Sequence, residues 1–150
     1  FMSSWALLMW QRLATSSDEH LAAIAGKAVK EARYHREHAA DWVVRLGDGT
    51  EESTHRMASA LDRLWPYCAE LFDADETDRE AAANGLGPAW SALEEAWRAD
   101  VSAVLQEAGM TLPADSAFRS DGKRGRHSEH MGRLLAEMQY LHRAFPGGVW

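Results

Sequence analysis

An all-α helical bundle is the fold class this 150-residue chain predicts, on three observations. Apolar residues recur at three- and four-residue steps in nearly every segment, the spacing that gathers side chains on one face of a helix. No window alternates apolar with polar residues as a half-buried strand does, and no internal repeat or low-complexity linker divides the chain. Capping residues, glycines and prolines punctuate the apolar runs at helix-like intervals. With 46% apolar residues the chain can fill a core, and its length suits one helical domain over residues 1–150.

Residues 1–10, FMSSWALLMW, are apolar all round, as in a helix enclosed by others, and they end at Gln11 and Arg12. The run falls short of the roughly 20 residues that span a bilayer. It has neither a basic leader nor a small-residue cleavage site, so no signal peptide is predicted. No capping residue precedes Phe1, and the chain is expected to open in mid-helix, as a fragment without its N-terminal helices.

Ser16, Ser17, Asp18 and Glu19 read as a capping box, with Ser16 as the cap and Glu19 reaching back to it. The helix that follows is expected to bury a stripe through Ile24, Ala25, Ala32, His35, Val43 and Leu46. Gly47, Asp48 and Gly49 stop it, and Thr50 caps the next helix, whose face carries Leu61, Leu64, Cys68 and Phe72. Pro66 predicts a kink or break near Trp65. Thr77 to Glu80 form a second capping box for a short helix ending near Asn84 and Gly85. Gly87 and Pro88 open another, with Leu93, Trp97, Val101 and Leu105 on its apolar stripe. After Gly109 the chain is irregular to about Gly125. A last helix with Leu134, Leu135, Met138, Leu141 and Phe145 on one face is then expected to be buried.

The formal charge of −7 argues against a nucleic-acid partner, which usually faces a basic excess. The single cysteine, Cys68, has no partner for an internal disulfide, and its apolar neighbours predict a buried, unreactive thiol. Of the seven tryptophans, Trp5, Trp42, Trp90 and Trp97 fall on or near apolar stripes and are expected in the core. Trp10 and Trp65 are not placed by the pattern, and Trp150 either packs back or anchors a partner.

The candidate chemistry lies on the second helix. Glu31, His35 and His38 stand at i, i+4 and i+7, on one side, with Lys27 a turn before them and Trp42 a turn after. Di-iron bundles use Glu-x-x-His on each of two helices and a Glu from each of two others. Here the third position after Glu31 is Tyr34, and the histidine is displaced to 35, so a polar pair within the bundle is preferred to a working metal site. His127 and His130 lack an acidic partner pattern, and Glu94, Glu95 and Asp100 have no histidine within a turn. No Cys-x-x-Cys, phosphate-binding P-loop or nucleophile-elbow motif occurs. Asp73, Asp75 and Glu76 are not spaced as an EF-hand loop and are expected to cap a helix or face water. Lys123, Arg124 and Arg126 sit in a glycine-rich loop, expected to be flexible and to contact a protein partner or a CoA ester.

Three runs carry a resemblance: GKRGRHSEHMGRLLAEMQYLHRAFPG at 122–147, KAVKEARYH at 27–35 and LFDADE at 71–76. With them, nearly the whole chain resembles the ferritin-like, non-catalytic subunit of bacterial phenylacetyl-CoA epoxidases. That resemblance implies a ferritin-like helical bundle and a cytoplasmic, multicomponent monooxygenase of phenylacetate catabolism. It implies that the di-iron centre belongs to a homologous catalytic subunit, that a reductase feeds it indirectly, and that the present chain stabilises it while carrying no cofactor and no catalytic residue of its own. No nucleic acid and no membrane enter that picture. Two other readings remain open: an active di-iron subunit whose other ligands precede Phe1, and a CoA-thioester-binding module using Lys123, Arg124 and Arg126.

Overall fold

The computed structural model describes residues 1–149; Trp150, with the anchoring role considered for it, lies outside the described residues. Helices dominate, and among the described residues no β-strand forms. Two compact units are formed, Phe1–Arg119 and Ser120–Trp150.

The first unit contains α1 (Met2–Leu13), α2 (Glu19–Gly47), α3 (Glu51–Leu64), α4 (Glu76–Ala83) and α5 (Glu94–Glu107). Two 3-10 segments, Trp65–Phe72 and Trp90–Leu93, lead out of α3 and into α5. The break after Leu64 falls where Pro66 removes an amide donor from the helical ladder, and the chain tightens into the 3-10 form. Its core joins Met9, Leu61, Trp65, Cys68, Phe72, Leu93, Trp97, Val101 and Leu105. Trp97 sits at the centre, 1% exposed. Trp65 stacks on it at 5.7 Å and Phe72 meets it edge-on at 5.2 Å. Its indole N–H donates to the Phe1 carbonyl at 3.1 Å, which satisfies the one polar atom that so deep a ring carries.

Small residues let α2 approach its neighbours. Ala25, Ala32 and Gly47 are its buried positions. A Cβ at Gly47 would stand 2.7 Å from the Ala108 Cβ and 2.8 Å from the Ala108 carbonyl oxygen. Because backbone must yield there, Gly47→Ala is expected to cost about 1–3 kcal/mol, the usual range for overpacking. Urea unfolding measures it; an unchanged midpoint would show that the junction of Gly47 with Ala108 is loose enough to take a methyl group.

Several expectations are corrected in this unit. The cap of α2 is Asp18, not Ser16: its carboxylate accepts from the Leu21 amide at 2.9 Å. Ser16 instead accepts from the Asp18 amide at 3.2 Å. The short helix α4 is capped by Asp75, two residues before the predicted cap Thr77, because Asp75 and Asp78 each accept the other's backbone amide at 2.9 Å. That pairing gives Asp75 the capping role expected for the acidic cluster. Thr50 caps α3 as predicted, in a reciprocal box with Ser53. The α2 stripe is rotated from its expected phase, so Ile24, His35, Trp42 and Leu46 are exposed. Leu64 is exposed as well. In an alanine-rich helix the contact line follows the residues that permit close approach, and larger side chains are turned outward.

The second unit holds a 3-10 turn, Gly122–Arg124, and α6 (His130–Ala144). The loop expected to be flexible is a closed turn. The Asp121 carbonyl accepts from the amides of Arg124 at 3.2 Å and Arg126 at 3.1 Å. Gly125 takes φ +81°, a left-handed conformation open to glycine at little cost. The expected burial of the last helix is not found: α6 has no buried residue.

Candidate functional site

The α2 face singled out for metal chemistry is exposed, and its three residues do not converge. His35 Nε2 lies 3.5 Å from Glu31 Oε1, so the imidazole and carboxylate meet each other. His38 is stacked on Tyr34 at 6.0 Å and 16° and edge-on to Trp42 at 6.5 Å, and Tyr34 also meets the His35 ring edge-on at 5.8 Å. Arg45 then covers Trp42 at 5.8 Å. The result is a row of rings along α2 with one exposed imidazole–carboxylate contact beside it, not a cluster aimed at a common point. So exposed a contact contributes little to stability.

Hard-metal oxygen chemistry needs several carboxylates converging with imidazoles. Among the described residues, no group of three or more His, Cys, Asp or Glu side chains could hold a metal ion. Glu94 is committed to Arg98 at 2.9 Å. Asp100 pairs through both oxygens with Arg36 of α2. The residues described therefore do not fit a di-iron centre.

The basic turn is more constrained than its sequence implied. Asp121, itself largely covered, pairs with Arg124 at 3.2 Å and lies 3.7 Å from Arg126. One carboxylate thus lies against two of the three cations, Arg124 and Arg126, while both guanidinium groups stay solvent-facing. A preset cationic edge of this kind suits an acidic surface or phosphate groups.

Sequence reasoning missed one feature. A cavity of about 360 Å³ opens beside Trp65, Cys68, Trp97, Arg98, Asp115 and Arg119. Arg98 stands over the Trp65 ring at 5.5 Å and is held by Glu94 and by Asp115 at 3.0 Å. Its charge is thereby balanced within the wall. Cys68 is buried as predicted, and burial pushes its thiol up to about 11, so it is neutral and a poor nucleophile near pH 7. The contact of Arg98 with Asp115 crosses an irregular segment, and no spacing rule announces it.

An all-α chain with a helical bundle in its first unit is the class these features define. Over residues 1–150 the chain matches the family model described as phenylacetic acid catabolic protein. It is 45% identical over 150 residues to the subunit lettered C of 1,2-phenylacetyl-CoA epoxidase from Escherichia coli (strain K12), covering 100% of this chain and 60% of that protein. The chain thus spans about three-fifths of the length of the curated relative it matches. It belongs to the phenylacetic acid catabolic protein family, and its all-α architecture agrees with the ferritin-like helical fold of that family. No helix of the described residues is long and apolar enough to cross a membrane.

Proposed function

We propose that this chain is a non-catalytic structural subunit of a phenylacetyl-CoA epoxidase, stabilising a homologous di-iron catalytic subunit. The observation that carries the reading is the α2 face. Tyr34 stands third after Glu31, where a Glu-x-x-His motif has its histidine, and the exposed His35 Nε2 lies 3.5 Å from Glu31 Oε1. A relative that is itself one of several subunits of such an epoxidase supports membership of an assembly. Under this reading the iron and the catalytic residues sit in the partner, electrons reach that partner from a reductase, and no cofactor resides in this chain. A CoA-thioester substrate places the assembly in the cytoplasm. Metal analysis of the purified chain is expected to find no stoichiometric iron. About two irons per chain would overturn the assignment and favour the active di-iron alternative.

The basic turn belongs to the same reading, as part of the partner surface or of the entrance for the CoA moiety. Lys123→Ala with Arg124→Ala is expected to leave stability within about 0.5 kcal/mol, as is usual for surface sites. The same double variant should weaken affinity for the catalytic subunit or raise KM for the CoA ester, and added salt should shrink the difference. If the variant unfolds readily while its folded fraction assembles and turns over normally, the turn is structural. Binding of CoA by the chain alone would favour the thioester-module alternative.

A further inference from the structure

Asn84 is the sole asparagine of the chain, and Gly85 follows it. Before glycine, an asparagine side-chain amide is most open to attack by the next backbone nitrogen, because glycine has no Cβ to shield that nitrogen. The structure places the pair at the C-terminal end of α4 and ties it to a loop remote in sequence. The Gly85 amide donates to the Ala82 carbonyl at 3.1 Å and the Leu86 amide to the Ala81 carbonyl at 3.0 Å. These are the paired bonds that close a helix on a left-handed glycine, here at φ +71°. From the turn between α1 and α2, the Ser17 amide donates to the Gly85 carbonyl at 2.9 Å. The Ser17 hydroxyl donates to the Asn84 carbonyl at 3.0 Å.

In this closed form the attack cannot begin. Ring closure requires the Gly85 nitrogen to eclipse the Asn84 Cβ about the Cα–C bond. At ψ 4° it eclipses the Asn84 nitrogen instead, and its proton is held by the Ala82 carbonyl. Turning ψ to the reactive geometry swings the Asn84 carbonyl off the Ser17 hydroxyl and pulls Gly85 off Ala82.

We propose that Asn84 is a deamidation site gated by Ser17, whose clamp on the α4 cap must open before the side chain reacts. Once it opens, the Gly85 nitrogen gives its proton to hydroxide and attacks the Asn84 Cγ. The N–Cγ bond forms, the Cγ–Nδ2 bond breaks, and the side-chain nitrogen leaves as ammonia with a proton taken from water. Water then opens the cyclic imide at either carbonyl, giving aspartate or isoaspartate, with no net oxidation or reduction. Both products set a carboxylate at the C-terminal end of α4, where the helix dipole disfavours negative charge. Isoaspartate also inserts a methylene group into the backbone, so the bonds to Ala81 and Ala82 no longer fit. The step is one-way: a chain that reacts while open does not regain the closed junction.

Peptide mapping by mass spectrometry at mildly alkaline pH gives the rate of conversion at Asn84 in the wild type, in Ser17→Ala and in the urea-unfolded wild type. Ser17→Ala removes the hydroxyl bond and keeps the backbone amide, so its thermal midpoint is expected to stay near that of the wild type. Its rate should rise about two- to tenfold, the factor in an opening equilibrium that one hydrogen bond represents. Ser17→Thr keeps the donor and should react as slowly as the wild type, and the unfolded chain should react fastest. Hydrogen exchange at the Gly85 and Leu86 amides of the wild type gives a reading free of any variant. Their protection should match the ratio of unfolded to folded conversion rates, since one opening gates both. Equal rates in wild type and Ser17→Ala, or exchange that is fast where conversion is slow, overturn the gate. A wild-type rate equal to that of the unfolded chain overturns the protection. A folded chain that never converts while the unfolded one does overturns the site, as does the same mass gain in Asn84→Gln, whose longer side chain closes its ring far more slowly.

Discussion

Trp97→Ala is expected to remove about 3–5 kcal/mol of stability, the range for deleting a large buried aromatic. The ring is 1% exposed and lies among Phe1, Trp65 and Phe72, with centroids 5.2–5.9 Å away. Its removal would leave a cavity bounded by rigid rings that cannot collapse to fill it, and would strip the Phe1 carbonyl of its indole donor. Domains of this size carry about 5–15 kcal/mol in total, so the variant should be partly unfolded at 37 °C. Trp42→Ala provides the control. That ring is exposed on α2, edge-on to His38 and under Arg45, and its loss should cost about 0.5 kcal/mol or less. Urea midpoints for the two variants decide the matter. Similar losses at both positions would mean that the core is not centred on α5.

The second large effect concerns turnover. Supplied with a reductase and phenylacetyl-CoA, this chain alone is expected to form no epoxide. The catalytic subunit without it is expected to lose activity and solubility together. The physical reason is linkage: a partner that binds only the folded state stabilises it by RT ln(1 + [L]/Kd), about 2.7 kcal/mol at a hundredfold excess over Kd. Removing the partner withdraws that stabilisation and exposes the apolar face it covered. Reconstitution with and without the chain, followed by product analysis and light scattering, measures both effects. Turnover by this chain with a reductase alone would contradict the structural assignment outright.

Helix content and most of the core follow from periodicity, because α5 and the end of α3 present one uninterrupted apolar stripe each. Leu61, Cys68, Phe72, Leu93, Trp97, Val101 and Leu105 are all buried. Trp65 falls on the same stripe, four residues after Leu61 and three before Cys68, but the break that Pro66 predicts beside it hides the continuity. Around α2 the period is ambiguous: alanines occur on several sides, and only close approach at Gly47 selects the contact line. That choice turns His35 and Trp42 to the outside. Two caps shift by two residues, from Ser16 to Asp18 and from Thr77 to Asp75, since neighbouring Ser, Thr and Asp are each competent caps and local geometry chooses among them. That the third position after Glu31 is a tyrosine, Tyr34, is legible in the sequence. Its neighbours' arrangement is not, because the stacking of His38 on Tyr34 depends on rotamers that spacing does not set.

The stacked indoles of Trp65 and Trp97 have an optical consequence. Parallel to within 21° and 5.7 Å apart, they form an electronically coupled pair in an asymmetric, rigid setting. The near-ultraviolet circular dichroism of the protein should therefore be dominated by this pair, although the chain has seven tryptophans. Loss of that band while the far-ultraviolet signal persists would mark a state in which the helices survive and the packing around α5 has loosened.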